Sequence, residues 1–128
     1  MLNSLAVLKI QDALVIIMQG NMNDQSVKQM QHTALTQIEQ TRVSGLIMDI
    51  SQLDMIDSYM VRLFSDTAQM AKLLGVKVFL VGMQPYVALA MVEMGLDIRG
   101  IKTAVTVDNA LEILHEGVPY AVKRGAPQ

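Results

Sequence analysis

Alternating hydrophobic and polar stretches divide the chain into nine predicted elements. Residues 5–10 and 13–19 are rich in valine, isoleucine and leucine, and the two polar residues between them predict an antiparallel hairpin with a two-residue turn. A loop at 21–24 carries candidate N-cap residues for a first helix that extends to Arg42. Apolar residues recur along this helix at helical spacing: Val27, Met30, Ala34, Leu35 and Ile38.

The middle of the chain alternates buried strands with helices. The continuous apolar segments at 46–50 and 76–82 predict strands that are buried on both faces of a sheet, and 102–107 predicts a last strand. A second helix ends before Gly75, and Pro85 suits the first turn of a third helix. The second helix carries one apolar stripe: Met60, Val61, Phe64, Ala68, Ala71 and Leu74.

The predicted order of elements is β-β-α-β-α-β-α-β-α. Asp108 or Asn109 is expected to cap the fourth helix, and the tail at 117–128, with two prolines, is expected to be flexible. Strands that alternate with helices form parallel, right-handed crossovers. We therefore expect one α/β domain over 1–128, with its core at about 5–116, a mixed sheet of about five strands and about four helices.

The composition excludes several classes of function. Ten basic and twelve acidic residues give a net charge of -2, and aromatic residues make up 4% of the 128, so nucleic acid is not an expected partner. Without cysteine and with two histidines, the chain offers no disulfide framework and no multi-histidine metal cage, and we expect no metal and no cofactor. No apolar run approaches the roughly 20 residues that span a bilayer. We expect a cytoplasmic protein that does not enter a membrane.

No catalytic residue is assigned from the sequence. The nucleophile-elbow, phosphate-loop and dinucleotide-binding motifs are absent, and neither histidine has a visible serine and acid arrangement. Asp49, Asp54 and Asp57 leave open an enzyme of the receiver type, with magnesium and a phosphorylated Asp49. Such a site also needs an acidic pair after the first strand, where this chain has Asp12 alone. Capping and solvation are the favoured roles for these aspartates.

Ser58 lies between an acidic loop and the second helix. If Asp57 or Ser58 caps this helix, Ser58 lies at its N-terminus, where free backbone N–H groups favour an anion. On the residues alone, a simple helix cap is the favoured role of Ser58. A phosphate on Ser58 would instead place about -1.5 to -2 charges beside Asp54 and Asp57. Arg62, one turn later, is expected either to steady that phosphate or to pair with Asp66.

The loops that follow the buried strands are expected to meet. The carboxyl ends of parallel strands gather at one edge of a sheet, which brings residues 49–58 and 81–85 together. Met55, Met60 and Met83 fall near this edge, and flexible thioethers suit both core filling and partner contact. We leave both roles open for these three methionines.

The segments "LIMDISQLDMIDSYMVRLF" and "LLGVKVFLVGMQPYVALAMVEMGLD" resemble the STAS domain, the fold of the anti-anti-sigma factors, and the resemblance extends over about residues 5–116. The general pattern of that family at the turn is D-S-S-G or D-S-T-G. This chain has Asp57, Ser58, Tyr59 and Met60 there, so the second hydroxyl and the glycine are missing. The turn is more similar to the stressosome branch of the family.

The resemblance implies a non-enzymatic scaffold of a bacterial stressosome that self-associates in a large complex with an RsbR-like sensory co-antagonist. It implies that the chain holds a serine kinase of the RsbT type and releases it when Ser58 is phosphorylated, with a phosphatase to reset the site. The alternative is a stand-alone anti-anti-sigma factor that binds an anti-sigma kinase. The residues expected to contact the partner are Asp54, Met55, Asp57, Tyr59, Met60, Arg62, Met83 and Gln84.

Overall fold

A computed structural model of the chain describes residues 3–95 and 100–117. Five strands form one mixed sheet in the order β1-β2-β3-β4-β5, in which β1 and β2 are antiparallel and all other neighbours are parallel. The predicted order of strands and helices and the mixed α/β architecture are confirmed. The strands are β1 Asn3–Ile10, β2 Ala13–Gly20, β3 Gly45–Leu53, β4 Lys77–Val81 and β5 Lys102–Ala104; the helices are α1 Asp24–Thr41, α2 Ser58–Leu73, α3 Pro85–Glu93 and α4 Val107–Leu114, followed by a 3-10 turn at His115–Gly117.

Local signals in the sequence explain where the first elements begin and end. Gln11, in the turn of the hairpin, has a φ of 56°, which allows Ile10 to pair with Ala13 across a two-residue connection. The side chain of Asn23 accepts a hydrogen bond of 2.8 Å from the backbone N–H of Ser26 and so caps α1. The hairpin and the first helix are as predicted.

The helices divide unequally between the two faces of the sheet. The larger core lies between the sheet and the helices α1, α2 and α3, and the smaller core lies under α4. Along β3, Leu46, Met48 and Ile50 face the larger core while Ile47 faces the smaller one. Both faces of this strand are therefore buried, which explains its continuous apolar sequence.

Three details differ from the sequence prediction. The cap of α4 is Thr106, whose hydroxyl accepts from the N–H of Asn109 at 3.1 Å, so the assignment of Asp108 or Asn109 was wrong. Helix α4 therefore begins at Val107, before Asp108 and Asn109, and not after them as predicted. Strand β5 has three residues and is shorter than the predicted strand at 102–107. Leu74, which was predicted to lie on the apolar stripe of α2, follows the last residue of that helix and is 54% exposed. The predicted flexible tail lies almost entirely outside the described residues. No described helix has the length and apolar character that crossing a bilayer requires.

The turn of the hairpin is tied to the end of α4. Asp12 lies 2.6 Å from Nε2 of His115, and its carboxylate also accepts a hydrogen bond from the hydroxyl of Ser44. The pKa of Asp12 lies below its usual value, first because of the Ser44 hydrogen bond and then because of His115. The ionised carboxylate therefore stabilises the fold.

We expect Asp12→Asn to change how stability depends on pH. A depressed pKa in the folded state stabilises the protein above the unfolded pKa of about 3.9, and this contribution is lost as the pH falls through the folded pKa. The wild type should exceed the variant by no more than about 1 kcal/mol at pH 6, because the group is exposed, and the difference should vanish at acidic pH. Urea unfolding at pH 2–7 measures this. Parallel curves for the two proteins would contradict it.

Candidate functional site

Ser58 is the first residue of α2, and its side chain is exposed. The preceding residue, Asp57, has extended backbone geometry, and its carboxylate accepts a hydrogen bond of 2.8 Å from the N–H of Met60. The backbone carbonyl of Asp57 accepts the first bond within the helix, from Val61 at 3.1 Å. Asp57 is therefore the N-cap, and the interpretation of Ser58 as the cap is wrong.

The capping role of Asp57 leaves the Ser58 hydroxyl without a structural task. No residue among 3–95 and 100–117 forms a hydrogen bond with the Ser58 side chain. The hydroxyl lies at the positive end of the helix dipole, where an added anion is tolerated by the helix itself. The site therefore offers a serine that can be modified without loss of an internal contact.

The charged side chains near this serine in the sequence are mostly acidic. Asp54 and Asp57 are both exposed within the four residues that precede it. Arg62 is exposed one turn into α2, and within the described part of the chain it forms no ion pair with Asp66. Two carboxylates and one guanidinium thus accompany Ser58 at the surface, and the guanidinium is not engaged by the neighbour that the sequence suggested.

The end of β3 and the first residue of the loop before Ser58 contact the loop and helix that follow β4. The side chain of Gln84 donates a hydrogen bond of 3.0 Å to the carbonyl of Ser51. The hydroxyl of Tyr86 donates to the carbonyls of Leu53 and Asp54, at 3.4 and 3.3 Å. The expected meeting of these two segments at one edge of the sheet is confirmed.

Close backbone approach reinforces the same junction. Gly82 has a φ of 78°, and a Cβ atom at this position would collide with the backbone and side chain of Ser51. The carboxylate of Asp49 accepts from both the N–H and the hydroxyl of Ser51, at 2.9 and 2.7 Å. Asp49 thus has a structural role, and no group of three or more metal-binding side chains lies within the described ranges.

The remaining predicted contact residues differ in how much surface they present. Met55 is 68% exposed, whereas Tyr59 and Met83 are half-buried and pack against the larger core. Gln84 is half-buried and holds Ser51. Met60 is 3% exposed and belongs to the core, so it presents no surface to a partner. The structure resolves its two possible roles in favour of core filling.

Sequence reasoning missed an apolar face on α3. Tyr86, Leu89 and Val92 are 48%, 58% and 77% exposed and recur at three-residue spacing, beside the loop that carries Met55. The helix is apolar on nearly every side, and such a pattern usually indicates burial. Periodicity therefore could not identify which face is free. The role of Tyr86 could be identified only from the structure, in which its hydroxyl donates to the carbonyl of Asp54 in the loop before Ser58.

One protein family and two solved structures are similar to this chain over most of its length. Residues 4–110 match the protein family described as STAS domain. The solved structure of Moorella thermoacetica RsbS S58E is 35% identical, with a TM-score of 0.77, over 86% of this chain and 93% of that one. A structure from "Molecular architecture of the stressosome, a signal integration and transduction hub" is 34% identical, with a TM-score of 0.69, over 85% of this chain and 95% of that one.

A relative from Bacillus subtilis (strain 168) is the RsbT co-antagonist protein RsbRD. It is 26% identical over 114 residues, which make up 87% of this chain and 41% of the relative. The chain thus spans less than half the length of that protein.

Replacing Asp57 and Ser58 separately should distinguish the cap from its neighbour. Asp57→Ala removes the acceptor for the Met60 N–H and should lower the free energy of unfolding by about 1 kcal/mol, whereas Ser58→Ala should change it by less than about 0.5 kcal/mol. Chemical denaturation of both variants and the wild type measures the difference. Equal losses would show that the two side chains share the capping role.

Proposed function

The chain belongs to the STAS domain family, and from this membership we propose that it is a non-enzymatic scaffold of a bacterial stressosome. In this proposal it co-assembles with an RsbR-like co-antagonist and holds a serine kinase of the RsbT type. Phosphorylation of Ser58 by that kinase releases it, and a phosphatase restores the first state. The complex would act in the cytoplasm.

The similarities support this proposal over most of the chain. Two solved relatives with 34–35% identity are RsbS and a stressosome component, and each aligns over more than nine tenths of its own length. The RsbS structure carries a serine-to-glutamate substitution, which resembles in charge the effect of a phosphate on serine. The more distant relative is named a co-antagonist of RsbT, which supports a partner of that kind.

The observation that carries the proposal is that the hydroxyl of Ser58 forms no hydrogen bond with any of the residues that the structure describes. This hydroxyl is exposed at the first position of α2, and Asp57 already provides the helix cap. A kinase therefore has access to the oxygen without unfolding the helix. The added phosphate also costs the fold little, because the helix N-terminus favours negative charge.

Electrostatic repulsion explains how the modification would act on a bound protein. A phosphate carries about -1.5 to -2 charges at neutral pH, and it would join the exposed carboxylates of Asp54 and Asp57. Any partner surface that accommodates the unmodified serine with an acidic group or a close apolar contact would then face three anionic groups. Like charges across an interface lower affinity and suppress binding. Arg62, four residues after Ser58, carries a single positive charge and so offsets at most one of these negative charges.

The surface around Ser58 is held in place by contacts between the end of β3, the loop that follows it and the start of α3. Gln84 and Tyr86 fasten the segment before Ser58 to the start of α3, and Gly82 allows the strand ends to touch. The exposed side chains of Met55, Tyr86 and Leu89 provide apolar area beside the serine. We propose that the kinase docks on this edge, with apolar contacts for affinity and the serine hydroxyl at its centre.

Substitutions at Ser58 should separate binding from release. Ser58→Ala should bind the purified switch kinase as tightly as the wild type and accept no phosphate. Ser58→Asp should bind at least about tenfold more weakly, which corresponds to about 1.4 kcal/mol, because the added charge faces the partner. Titration calorimetry and mass spectrometry of the phosphorylated site measure the two effects.

A matched control adds one negative charge elsewhere. Gln40 is exposed in the last turn of α1, at the end of that helix remote from the strand ends that carry Ser58, and Gln40→Glu should leave kinase affinity unchanged. Equal affinity of the kinase for the wild type and Ser58→Asp would refute the switch. A small complex with an anti-sigma kinase, instead of the switch kinase, would favour the stand-alone antagonist.

Assembly provides a separate test of the scaffold role. Alone or mixed with its co-antagonist, the chain should elute far above its mass of 14.1 kDa. Size-exclusion chromatography with light scattering measures the mass of each species. A monomer that persists with every co-antagonist of the same organism would contradict the scaffold role, whatever the behaviour of Ser58.

A further inference from the structure

Most of the methionines that the structure describes are buried, but one is largely exposed beside Ser58. Six of them are at most 8% exposed: Met18, Met22, Met30, Met48, Met60 and Met91. Met83 is half-buried, and Met70 and Met94 are 41% and 38% exposed. Met55 is 68% exposed, the largest value among the described methionines, and it lies in the loop three residues before Ser58. An oxidant in the solvent therefore reaches the sulfur of Met55 most readily.

The packing of the domain does not depend on the side chain of Met55. The next residue, Ile56, is half-buried and packs against the larger core, whereas Met55 is not among the described residues that form or contact either core. Ile56 therefore anchors the loop, and an oxygen added to the sulfur of Met55 leaves the cores intact. The same change at Met60, which is 3% exposed, would bury a polar oxygen at a large cost in free energy.

Met55 extends the apolar surface at the edge that carries Ser58. The carbonyl that accepts a hydrogen bond from the Tyr86 hydroxyl at 3.3 Å belongs to the peptide bond between Asp54 and Met55. The phenol is thus close to the backbone of Met55, and both Tyr86 and Leu89 are exposed. A kinase docked on this edge would cover the thioether of Met55 with a surface that suits an apolar group. A sulfoxide in the same place would lose its hydration, which weakens binding unless the partner offers a donor.

Peroxides convert a methionine thioether to a sulfoxide. The sulfur donates an electron pair to one oxygen of hydrogen peroxide, and an S–O bond forms as the O–O bond breaks. The other oxygen leaves as water with both protons, so the sulfur is oxidised and the peroxide is reduced. Methionine sulfoxide reductases reverse the change. With a dithiol as the reductant, the oxygen leaves as water and the dithiol becomes a disulfide.

We propose that Met55 is a reversible oxidation site, at which a peroxide weakens the docking of the kinase without phosphorylation of Ser58. The proposal rests on the function proposed for this edge, because it requires that the kinase docks here. A sulfoxide adds no net charge, so its effect comes from a lost apolar contact and not from electrostatic repulsion. Oxidation and phosphorylation thus act on one docked protein by different physical means.

The test treats the full chain with hydrogen peroxide, removes the oxidant and then measures kinase binding by titration calorimetry. Peptide mass spectrometry should show that Met55 gains one oxygen before Met70 and Met94 do. Kinase affinity should fall at least about fivefold once Met55 is oxidised, and methionine sulfoxide reductases A and B with dithiothreitol should restore it. Met55→Leu has an apolar side chain without a thioether. Its kinase affinities before and after treatment should therefore agree within about twofold.

A matched pair of variants tests the change of polarity without an oxidant. Met55→Gln replaces the thioether with a polar group of similar length and should bind the kinase at least about fivefold more weakly. Met70 lies on α2 roughly 18 Å along the helix axis from Ser58, and Met70→Gln should bind within about twofold of the wild type. The loss in Met55→Gln should persist at high salt, whereas the loss in Ser58→Asp should shrink, because salt screens charge.

The results separate the oxidation site from the docking surface. Unchanged affinity after oxidation of Met55, earlier oxidation of Met70 or Met94, or an equal loss in treated Met55→Leu would overturn the oxidation site. Thermal unfolding of the treated chain checks that the domain stays folded, and a loss of binding caused by unfolding would overturn it too. A kinase that does not bind the untreated chain would instead refute the docking itself. Binding that is lost in Ser58→Asp but is insensitive to peroxide would leave the function proposed for Ser58 intact.

Discussion

One hydrogen bond, from the N–H of Met60 to the carboxylate of Asp57, determines what Ser58 can do. Serine and aspartate are both good helix caps, and only one of them can occupy the N-cap position of a given helix. Because Asp57 takes it, the helix begins at Ser58 and the serine hydroxyl is left at the surface. Asp57 thus stabilises the start of α2, and the hydroxyl of Ser58 remains available for modification.

The second constraint is the shape of the sheet. Parallel strands bring the end of β3 and the end of β4 to the same edge, and the glycine at 82 lets their backbones touch there. Gln84 and Tyr86 donate to the last residues of β3, and the Tyr86 hydroxyl also reaches Asp54, the first residue of the loop before α2. A rigid frame under an exposed serine favours recognition by a preformed surface, since little conformational entropy is lost when a partner binds.

The sequence predicted the fold well because its signals are local and agree with each other. Continuous apolar runs, the glycine after α2 and the proline at the start of α3 each indicate an element, and all fit one topology. The errors arose where several residues are chemically equivalent. Thr106, Asp108 and Asn109 are all acceptable caps, as are Asp57 and Ser58, and only the backbone geometry decides between them. The exposure of Leu89 was unpredictable because α3 is apolar on nearly every side and its orientation depends on tertiary packing, whereas the burial of Met60 agrees with the apolar stripe on α2.

The separation of cap and hydroxyl has a consequence for how a modification would act. Since the Ser58 hydroxyl forms no hydrogen bond with the described part of the chain, esterifying it should leave the shape of the domain unchanged. Any effect on a bound protein would then arise from charge at the surface and not from a rearrangement inside the domain.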